Sequence, residues 1–543
     1  MRTSKSEQCD RHTQSRVGRR GCAGRREVAI VRGVMIGSTG TAVVNGSDGG
    51  LRDVRVAIIG AGFGGLGVAI KLREAGFEDF LVLERDEALG GTWWANTYPG
   101  CACDVPAHLY SYSFQLNPNW SRMFAPQPEI LEYLRRTARE RGIEGHLRFR
   151  TEVHGARWDE DAQLWHVDTS RGSLNAQVLV AAAGGLVEPN YPDIPGLADF
   201  QGACFHSARW DHDHDLRGER VGVIGTGASS AQFIPEVQKL ASQLTVLQRT
   251  PGWVMPRLDH PHSDTQKRLF ARFPTLQRAV RTSLYYTAEG LVLGLVYDQR
   301  LLKALERIAR RHLEKQVPDP EVRARLTPNF RIGCKRIIFS NDYLRSYAEP
   351  NVELVSDGIR EVVGDGVITN TGRHIELDTI LLGTGFQVFD PPHASGVVGR
   401  DGRTLRERWS DGGIRAYLGT AVANFPNHFM VMGPNTGLGN NSMINVIEAH
   451  AGFVVEALKT MDARGLASVE VREDVEKRYN ENIQARLQHT VWSEGGCKSW
   501  YVGPDGRNHT LWPSFTDALR RRLARFDESD FVTRTRTGER VGV

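Results

Sequence analysis

Two glycine turns constrain this chain more than any other feature. The first, Gly60-Ala61-Gly62-Phe63-Gly64-Gly65, follows the apolar run beginning at Val54 and opens a helical pattern that runs to about Ala75 and stops at Gly76. The second, Gly225-Thr226-Gly227-Ala228-Ser229-Ser230, follows the apolar run beginning at Arg220 and opens another helix. A buried strand, a tight turn of small residues and a helix start let the backbone approach a pyrophosphate, with helix N–H groups and their positive potential aimed at it. Each turn belongs to a βαβ unit, so the chain is expected to be α/β, with two Rossmann-like dinucleotide-binding domains.

The residue closing each unit separates the two sites. Glu84 lies 24 residues beyond Gly60, at the end of the second strand, Phe80–Leu83. A carboxylate there accepts from both ribose hydroxyls, which favours a ribose without a 2′-phosphate: FAD or NAD. Arg249, in Gln248-Arg249-Thr250, lies 24 residues beyond Gly225. A guanidinium there can hold a 2′-phosphate, so NADP is preferred. The pairing reads FAD first and NADP second, and two nucleotide sites in one chain point to electron transfer between them.

A length of 543 residues leaves room for about three or four domains at roughly 150 residues each. Residues 1–50 read as a disordered basic arm with few large apolar residues, and Met35 as a possible initiator. Residues 51–195 are expected to form the first part of the FAD domain. They hold a helix over 126–141, strands over 147–151, 152–158 and 164–169, and a buried strand over 178–182. Residues 196–250 begin the NADP domain. Residues 251–332 are charged and helical from Thr265 to about Val317 and read as a helical insertion in it. Residues 333–382 complete the NADP domain with strands over 352–355, 359–363, 368–370 and 379–382. Residues 383–543 return to the FAD domain and carry the C-terminal segment, with a helix over 443–461.

The net charge of +4 is misleading, because nine of the 68 Lys/Arg and only four of the 64 Asp/Glu fall in the first fifty residues. The body is near neutral, and the sequence offers no argument for nucleic-acid binding. Seven cysteines without a CxxC or a Cys/His cluster give no metal site and fit a reduced, cytoplasmic chain. No apolar run reaches the roughly 18 residues a membrane helix needs. Oligomeric state is not legible.

The stretch before the second turn carries Phe200, Gly202, His206, Trp210 and Asp211. This spacing matches in full the FxGxxxHxxxW[P/D] fingerprint of type I Baeyer–Villiger monooxygenases, which are class B flavoprotein monooxygenases. Gly90-Gly91-Thr92-Trp93-Trp94 through Cys103-Asp104 resembles that family's flavin-side loop, Gly333-Cys334-Lys335-Arg336 its Lys-Arg pair, and Gly383-Thr384-Gly385-Phe386 its second flavin-domain signature. The segments Gly433–Ser442 and Gly495–Tyr501 resemble the branch that includes hydroxyacetophenone-type and actinobacterial enzymes. The likeness runs from about Val54 to Phe526.

The resemblance implies NADPH- and O2-dependent conversion of ketones to esters or lactones through a C4a-peroxyflavin, with sulfoxidation as a side activity. Such chemistry needs a fixed positive charge beside the reacting oxygens and exclusion of water. Arg336 is the expected catalytic cation, a guanidinium being always charged and rigidly forked. Asp104 is expected near the flavin, orienting Arg336. Gly60, Gly62, Phe63, Gly64, Gly65, Glu84, Gly91, Thr92, Trp93, Asp104, Tyr110 and Val153 are expected at FAD. Gly225, Thr226, Gly227, Ala228, Ser229, Ser230, Arg249, Thr250, Lys335 and Arg336 are expected at NADP, with Trp492 over the nicotinamide. His206 invites a general-base reading, but its linker position favours a joint between domains. The alternatives are an N- or S-oxygenating flavin monooxygenase, which would not require Arg336, a disulfide reductase relying on the closely spaced Cys101 and Cys103, and a nucleotide-binding sensor without activity.

Overall fold

A computed structural model of the chain describes residues 50–388, 393–503, 505–535 and 540–541. The expected basic arm, apart from Gly50, and the possible start at Met35 lie outside the described residues.

The first turn sits at the C-terminal edge of an eight-stranded sheet. Its strand Val54–Ile59 is flanked in parallel by Phe80–Leu83 and by the end of Gly172–Ala181. Both neighbours are apolar because both sheet faces are covered. The order across the path is 397–398, 153–159, 164–169, 172–181, 54–59, 80–83, 147–148, with His428–Met430 joining the end of Gly172–Ala181 in parallel. Alternating burial in Leu164–Thr169 marks the antiparallel hairpin with Val153–Asp159, one face packed and one open.

The second turn sits on a five-stranded sheet, ordered 352–355, 243–247, 220–224, 379–382, 203–206, with every pair parallel. Both sheets are interrupted by a similar device. A three-stranded antiparallel excursion, at 153–181 in the first and 359–376 in the second, precedes or merges into the strand that returns beside the glycine strand. The fold is therefore mixed α/β with two dinucleotide-binding sheets.

Three expected elements change. The strand expected over 147–151 keeps only Leu147–Arg148, because Arg150 takes φ 52° and Thr151 turns back to donate to the Glu84 carbonyl. The strand expected at 178–182 begins at Gly172, its first half pairing with the hairpin. The fingerprint stretch is itself a strand, Ala203–His206, on the edge of the second sheet.

The charged region after Thr265 is helical, with Asp264–Arg272, Pro274–Val292 and Leu302–Gln316, and its neck is closed by the pairing of Val254–Met255 with Ile338–Phe339. Its long helix docks on the flavin-side loop. Arg281, buried, donates through Nη1 to the carbonyls of His108, Leu109 and Ser111 at 2.8–2.9 Å, and Gln277 Nε2 to that of Asn117 at 2.7 Å.

Candidate functional site

At the first turn the backbone approaches itself so closely that side chains are excluded. A Cβ on Gly65 would stand 1.8 Å from the Gly60 carbonyl oxygen. The second glycine pair folds over the first turn, and a Cβ on Gly91 would meet Gly62 Cα at 3.0 Å. The helix Phe63–Glu74 starts between them with no acid in its first turn, so no carboxylate competes with a phosphate for its N–H groups. Glu84 is buried, one oxygen accepting from Ala61 N at 2.7 Å and the other from Asp86 N at 3.0 Å. Burial raises its carboxyl above the ordinary range, against those two bonds. A narrow cradle, an acid-free helix start and a buried carboxylate at the strand end fit a dinucleotide without a 2′-phosphate.

Aromatic side chains wall this cradle. Trp93 donates through Nε1 to the Tyr110 hydroxyl at 3.2 Å, and Phe63 stands edge-on to Tyr110 at 5.2 Å between ring centroids. Thr92 starts the short helix Thr92–Ala95 that carries Trp93. Val153 opens the strand beyond Thr151 and is half-buried.

The second turn is more open. Gly227 has nothing within 4 Å of the place where a Cβ would go. Thr226 donates to the Thr250 carbonyl at 3.3 Å, tying the turn to the strand end that carries Arg249. Ala228–Gln238 is the helix, again acid-free at its start, with Ser230 buried inside it and Ser229 half-buried. Arg249 is exposed. Lys335, from the distant 333–336 turn, lies close enough that burial and then the Arg249 charge depress its ammonium below the ordinary lysine range. Among the described residues neither cation is paired with a carboxylate, the chemistry a 2′-phosphate asks for.

Arg336, next to Lys335, and Asp104, at the end of the flavin-side loop, form a two-pronged pair, Nε to Oδ2 at 2.8 Å and Nη2 to Oδ1 at 2.6 Å. Burial pulls the Asp104 carboxyl upward, but Arg336 outweighs it and holds the group below the ordinary range. The charge of Asp104 in turn raises Arg336, which stays protonated at any working pH. Protein crowds the pair on most sides, yet 39% of the Arg336 side chain remains open. Asp104 is positioned by backbone bonds of its neighbours: Cys103 N to Ala125 O at 3.0 Å and Gln127 N to Cys101 O at 2.9 Å.

Residues that sequence reasoning missed complete this junction. Gln232, on the helix after the second turn, clasps the flavin-side loop: it donates to the Ala102 carbonyl at 2.9 Å and accepts from the Tyr98 hydroxyl at 3.0 Å. Arg257 donates to the Cys103 carbonyl at 3.0 Å and lies over the Phe124 ring. Neither falls in a spacing pattern, since each contact joins segments more than 100 residues apart.

His206 is fully buried and away from the pair. Its Nδ1 accepts from Ala208 N at 3.1 Å and its ring meets Tyr191 and Phe386 edge-on, both at 5.8 Å. Burial lowers its imidazole to about 4, against the Gly385 backbone. Trp492 is only 3% exposed and packs against Gly439. Cys101 and Cys103 are free, buried thiols, Cys101 pushed up to about 12 by burial. The expectation of a wholly reduced chain needs correction: Cys334 and Cys497 form a disulfide across 163 residues, a separation at which spacing carries no signal.

Two glycine-turn cradles on separate sheets, one closed by a buried carboxylate and one by unpaired cations, are the framework of a two-cofactor oxidoreductase of the pyridine-nucleotide type. The family model described as pyridine nucleotide-disulphide oxidoreductase matches residues 57–278. The chain is 49% identical over 482 residues to a Baeyer-Villiger monooxygenase of Pseudomonas aeruginosa, covering 88% of this chain and 91% of that one. It is 47% identical over 479 residues to a Baeyer-Villiger monooxygenase of Streptomyces coelicolor, covering 88% and 92%. The crystal structure of OTEMO in complex with FAD and NADP superimposes with a TM-score of 0.78 at 29% identity, covering 87% of this chain and 97% of that one. The chain belongs to the Baeyer–Villiger monooxygenase family.

Proposed function

We propose that this enzyme uses NADPH and O2 to convert ketones into esters or lactones, with FAD held at Gly60–Gly65 and NADP at Gly225–Ser230. In this reading residues 51–195 and 383–543 make up the FAD part. Residues 196–250 and 333–382 make up the NADP part, with 251–332 inserted in it, and the enzyme works in the cytoplasm. The observation that carries the proposal is the Arg336–Asp104 pair, which joins the flavin-side loop to the turn that carries Lys335.

FAD, when bound, supplies two-electron storage from NADPH and the activation of O2. The chain's own residues do the rest. Gly62, Gly64, Gly65 and Gly91 admit the pyrophosphate, Glu84 holds the ribose, and Trp93, Tyr110 and Phe63 wall the cavity, with Thr92 and Val153 at its margins. Thr226, Ala228, Ser229 and Ser230 line the second turn, while Arg249, Thr250 and Lys335 receive the 2′-phosphate. Trp492 backs the nicotinamide side.

Insertion of oxygen beside a carbonyl passes through negative charge on oxygen. Arg336 offers a charge that neither titrates nor reorients, because Asp104 holds its Nε and Nη2. Its Nη1 is left free of Asp104 to face substrate oxygen. Cys101 and Cys103 supply no disulfide-reductase chemistry, as both thiols are buried and free.

The deciding experiment is Arg336→Ala in FAD-loaded enzyme, with product mass measured on linear, cyclic and aryl ketones. We expect ester formation to fall by about a hundredfold to a thousandfold, corresponding to roughly 2.7–4 kcal/mol of lost electrostatic stabilisation. NADPH should still reduce the flavin. Ester formation that survives the substitution overturns the assignment. Ester loss with sulfide oxygenation retained would place Arg336 specifically in the ketone reaction.

A further inference from the structure

The Cys334–Cys497 disulfide joins the turn that carries Lys335 and Arg336 to the C-terminal loop around Gly495–Tyr501. We propose that this cystine is a positioning element of the oxygenation site, a redox-sensitive latch that holds the loop bearing Tyr501 against the turn bearing Arg336. The proposal rests on the reading of Arg336 given above.

The two sides of the latch are anchored unequally. On the Arg336 side, Arg331 is fixed by an ion pair with Glu306 at 3.0 Å, and Glu306 also accepts from Ile332 N at 3.2 Å. Cys334 itself is 1% exposed and donates its backbone N–H to the Arg331 carbonyl. On the other side the chain leaves the short helix Val491–Glu494 and, among the described residues, has no further helix until Thr516–Leu523. Within residues 496–503, the hydrogen bonds among described residues are local: Tyr501 N to Ser499 Oγ, Val502 N to Ser499 O and Gly503 N to Arg507 O. The last backbone bond from outside is Arg331 N to Gly495 O, just before the loop. The far end of the loop, at Val502 and Gly503, bonds to the segment 507–510 that Gly412, Asn435 and Gln484 pin down, so what ties residues 496–501 to the body is the cystine and the burial of Tyr501.

Tyr501 makes this attachment matter. It is 2% exposed and shares its surroundings with the catalytic pair: burial pushes its phenol up to about 12, while the Arg336 charge pulls the other way. Its neighbour Trp500 packs on it at 4.5 Å between ring centroids and is 46% exposed. The cystine itself brings Tyr501 and Arg336 together, since Cys334 stands two residues before Arg336 and Cys497 four residues before Tyr501, on a stretch with little structure of its own. Gly495 and Gly496 supply the pivot. Gly496 takes φ 80°, and a Cβ on Gly495 would stand 2.7 Å from Cys334 Cβ and 2.9 Å from its Sγ, so the loop start is fitted around the cystine.

The latch opens from the loop side. Cys497 is half-buried, between exposed Gly496 and Lys498, whereas Cys334 is sealed. A dithiol attacks Cys497 Sγ as a thiolate, Cys334 departs as the leaving thiolate, and the second thiol of the reductant resolves the mixed disulfide. One S–S bond of the protein breaks, one forms in the reductant, and the protein gains two thiols. A hydroperoxide oxidant reverses the step: hydrogen peroxide accepts two electrons and both thiol protons and leaves as two waters. With the bond open, the loop from 496 to 503 keeps only its local hydrogen bonds, and Tyr501 can leave the pocket that must stay dry.

The test uses full-length, FAD-loaded enzyme, either as purified under air, treated with dithiothreitol that is then removed under argon, or carrying Cys497→Ser. Non-reducing peptide mapping reads the cross-link, hydrogen exchange reads residues 496–503, and ester formed per NADPH consumed reads coupling. We expect the Cys334–Cys497 peptide in the untreated enzyme. Reduction or Cys497→Ser should speed exchange of 496–503 at least tenfold and raise the hydrogen peroxide fraction several-fold. FAD content and the rate of flavin reduction should stay within twofold, and dithiothreitol should do nothing further to Cys497→Ser. Absence of the cross-linked peptide, or a cross-link whose reduction leaves both exchange and coupling unchanged, overturns the latch. If no form makes ester from any ketone, the functional reading fails, while the peptide and exchange results still decide whether the cystine holds the loop.

Discussion

Around Gly60–Gly65 the backbone closes on itself. A second glycine pair folds over the turn, and Glu84 at the end of the second strand is buried with both oxygens engaged. Around Gly225–Ser230 the same local recipe is closed at its base, where Gly225 and Ser230 meet Gly383, but open at its rim: Gly227 faces free space, and the two cations nearby come from exposed Arg249 and half-buried Lys335. The difference teaches what each site is for. A cradle sealed by backbone suits a nucleotide that stays, since releasing it means breaking packed structure. An open turn with two unpaired cations suits one that arrives by electrostatic attraction and leaves again.

The comparison breaks most readily at Gly65. Placing a Cβ 1.8 Å from a carbonyl oxygen cannot be relieved by a side-chain rotation. Gly65→Ala is therefore expected to yield protein without FAD, or no soluble protein, read from the flavin absorbance of the purified sample. Gly227→Ala, at the second glycine of the open turn where a Cβ meets nothing within 4 Å, should keep full FAD and change KM for NADPH by no more than a few-fold. If the two alanines behave alike, the distinction between a sealed and an open site is wrong.

The next effect lies in the charges. A hydrogen bond to a charged group contributes roughly 1.5–3 kcal/mol, or about tenfold to somewhat over a hundredfold. Arg249→Ala and Lys335→Ala should each raise KM for NADPH within that range, leave KM for NADH nearly unchanged and keep FAD bound. The ratio of kcat/KM for NADPH over NADH is the cleanest readout. An equal loss with both nucleotides would mean that these cations hold something other than the 2′-phosphate. Because Arg249 is exposed, its contribution should shrink as salt is raised, whereas FAD retention should not respond.

The sealed site was more legible in the sequence than the open one, and the junction between them least of all. Strand, turn, helix and terminal acid lie within 31 residues, from Val54 to Glu84, so local pattern is enough to find them. The pairing of Asp104 with Arg336 joins residues 232 apart, and only the family resemblance brought them together. Gln232, Arg257 and the Cys334–Cys497 disulfide stayed hidden because a lone Gln, Arg or Cys has no periodicity to betray it. The charged, glycine-loop-free run after Thr265 was legible as helical. It said nothing of where the insertion would dock, because that is decided by Arg281 meeting three carbonyls more than 160 residues away. The fingerprint strand shows the same limit from the other side. Its spacing was recognisable, but its place on the sheet edge depends on pairing with Thr379–Leu382.

The smallest effect tests that strand. His206 is packed between the two crossings that connect the sheets, touching Tyr191 on one and Phe386 on the other, and it has no contact with Arg336 or Asp104. It should act on how the open site moves against the sealed one, not on the chemistry, and His206→Ala is expected to raise hydrogen peroxide release a few-fold with FAD and ester identity unchanged. Its titration gives an independent check. The folded value of about 4 lies below the ordinary 6.5, so between those limits the unfolded chain binds the extra proton. The contribution to stability is complete above about pH 6.5 and is lost as pH falls toward 4. Replacing His206 by Phe should therefore flatten the decline, by up to about 1.4 kcal/mol per pH unit within that window. His108 and His450, also lowered to about 4 by burial, should keep the remaining slope. A His206→Phe enzyme whose acid sensitivity is unaltered would show that the imidazole is already protonated in its pocket. In that case the joint would be held by a charge rather than by packing.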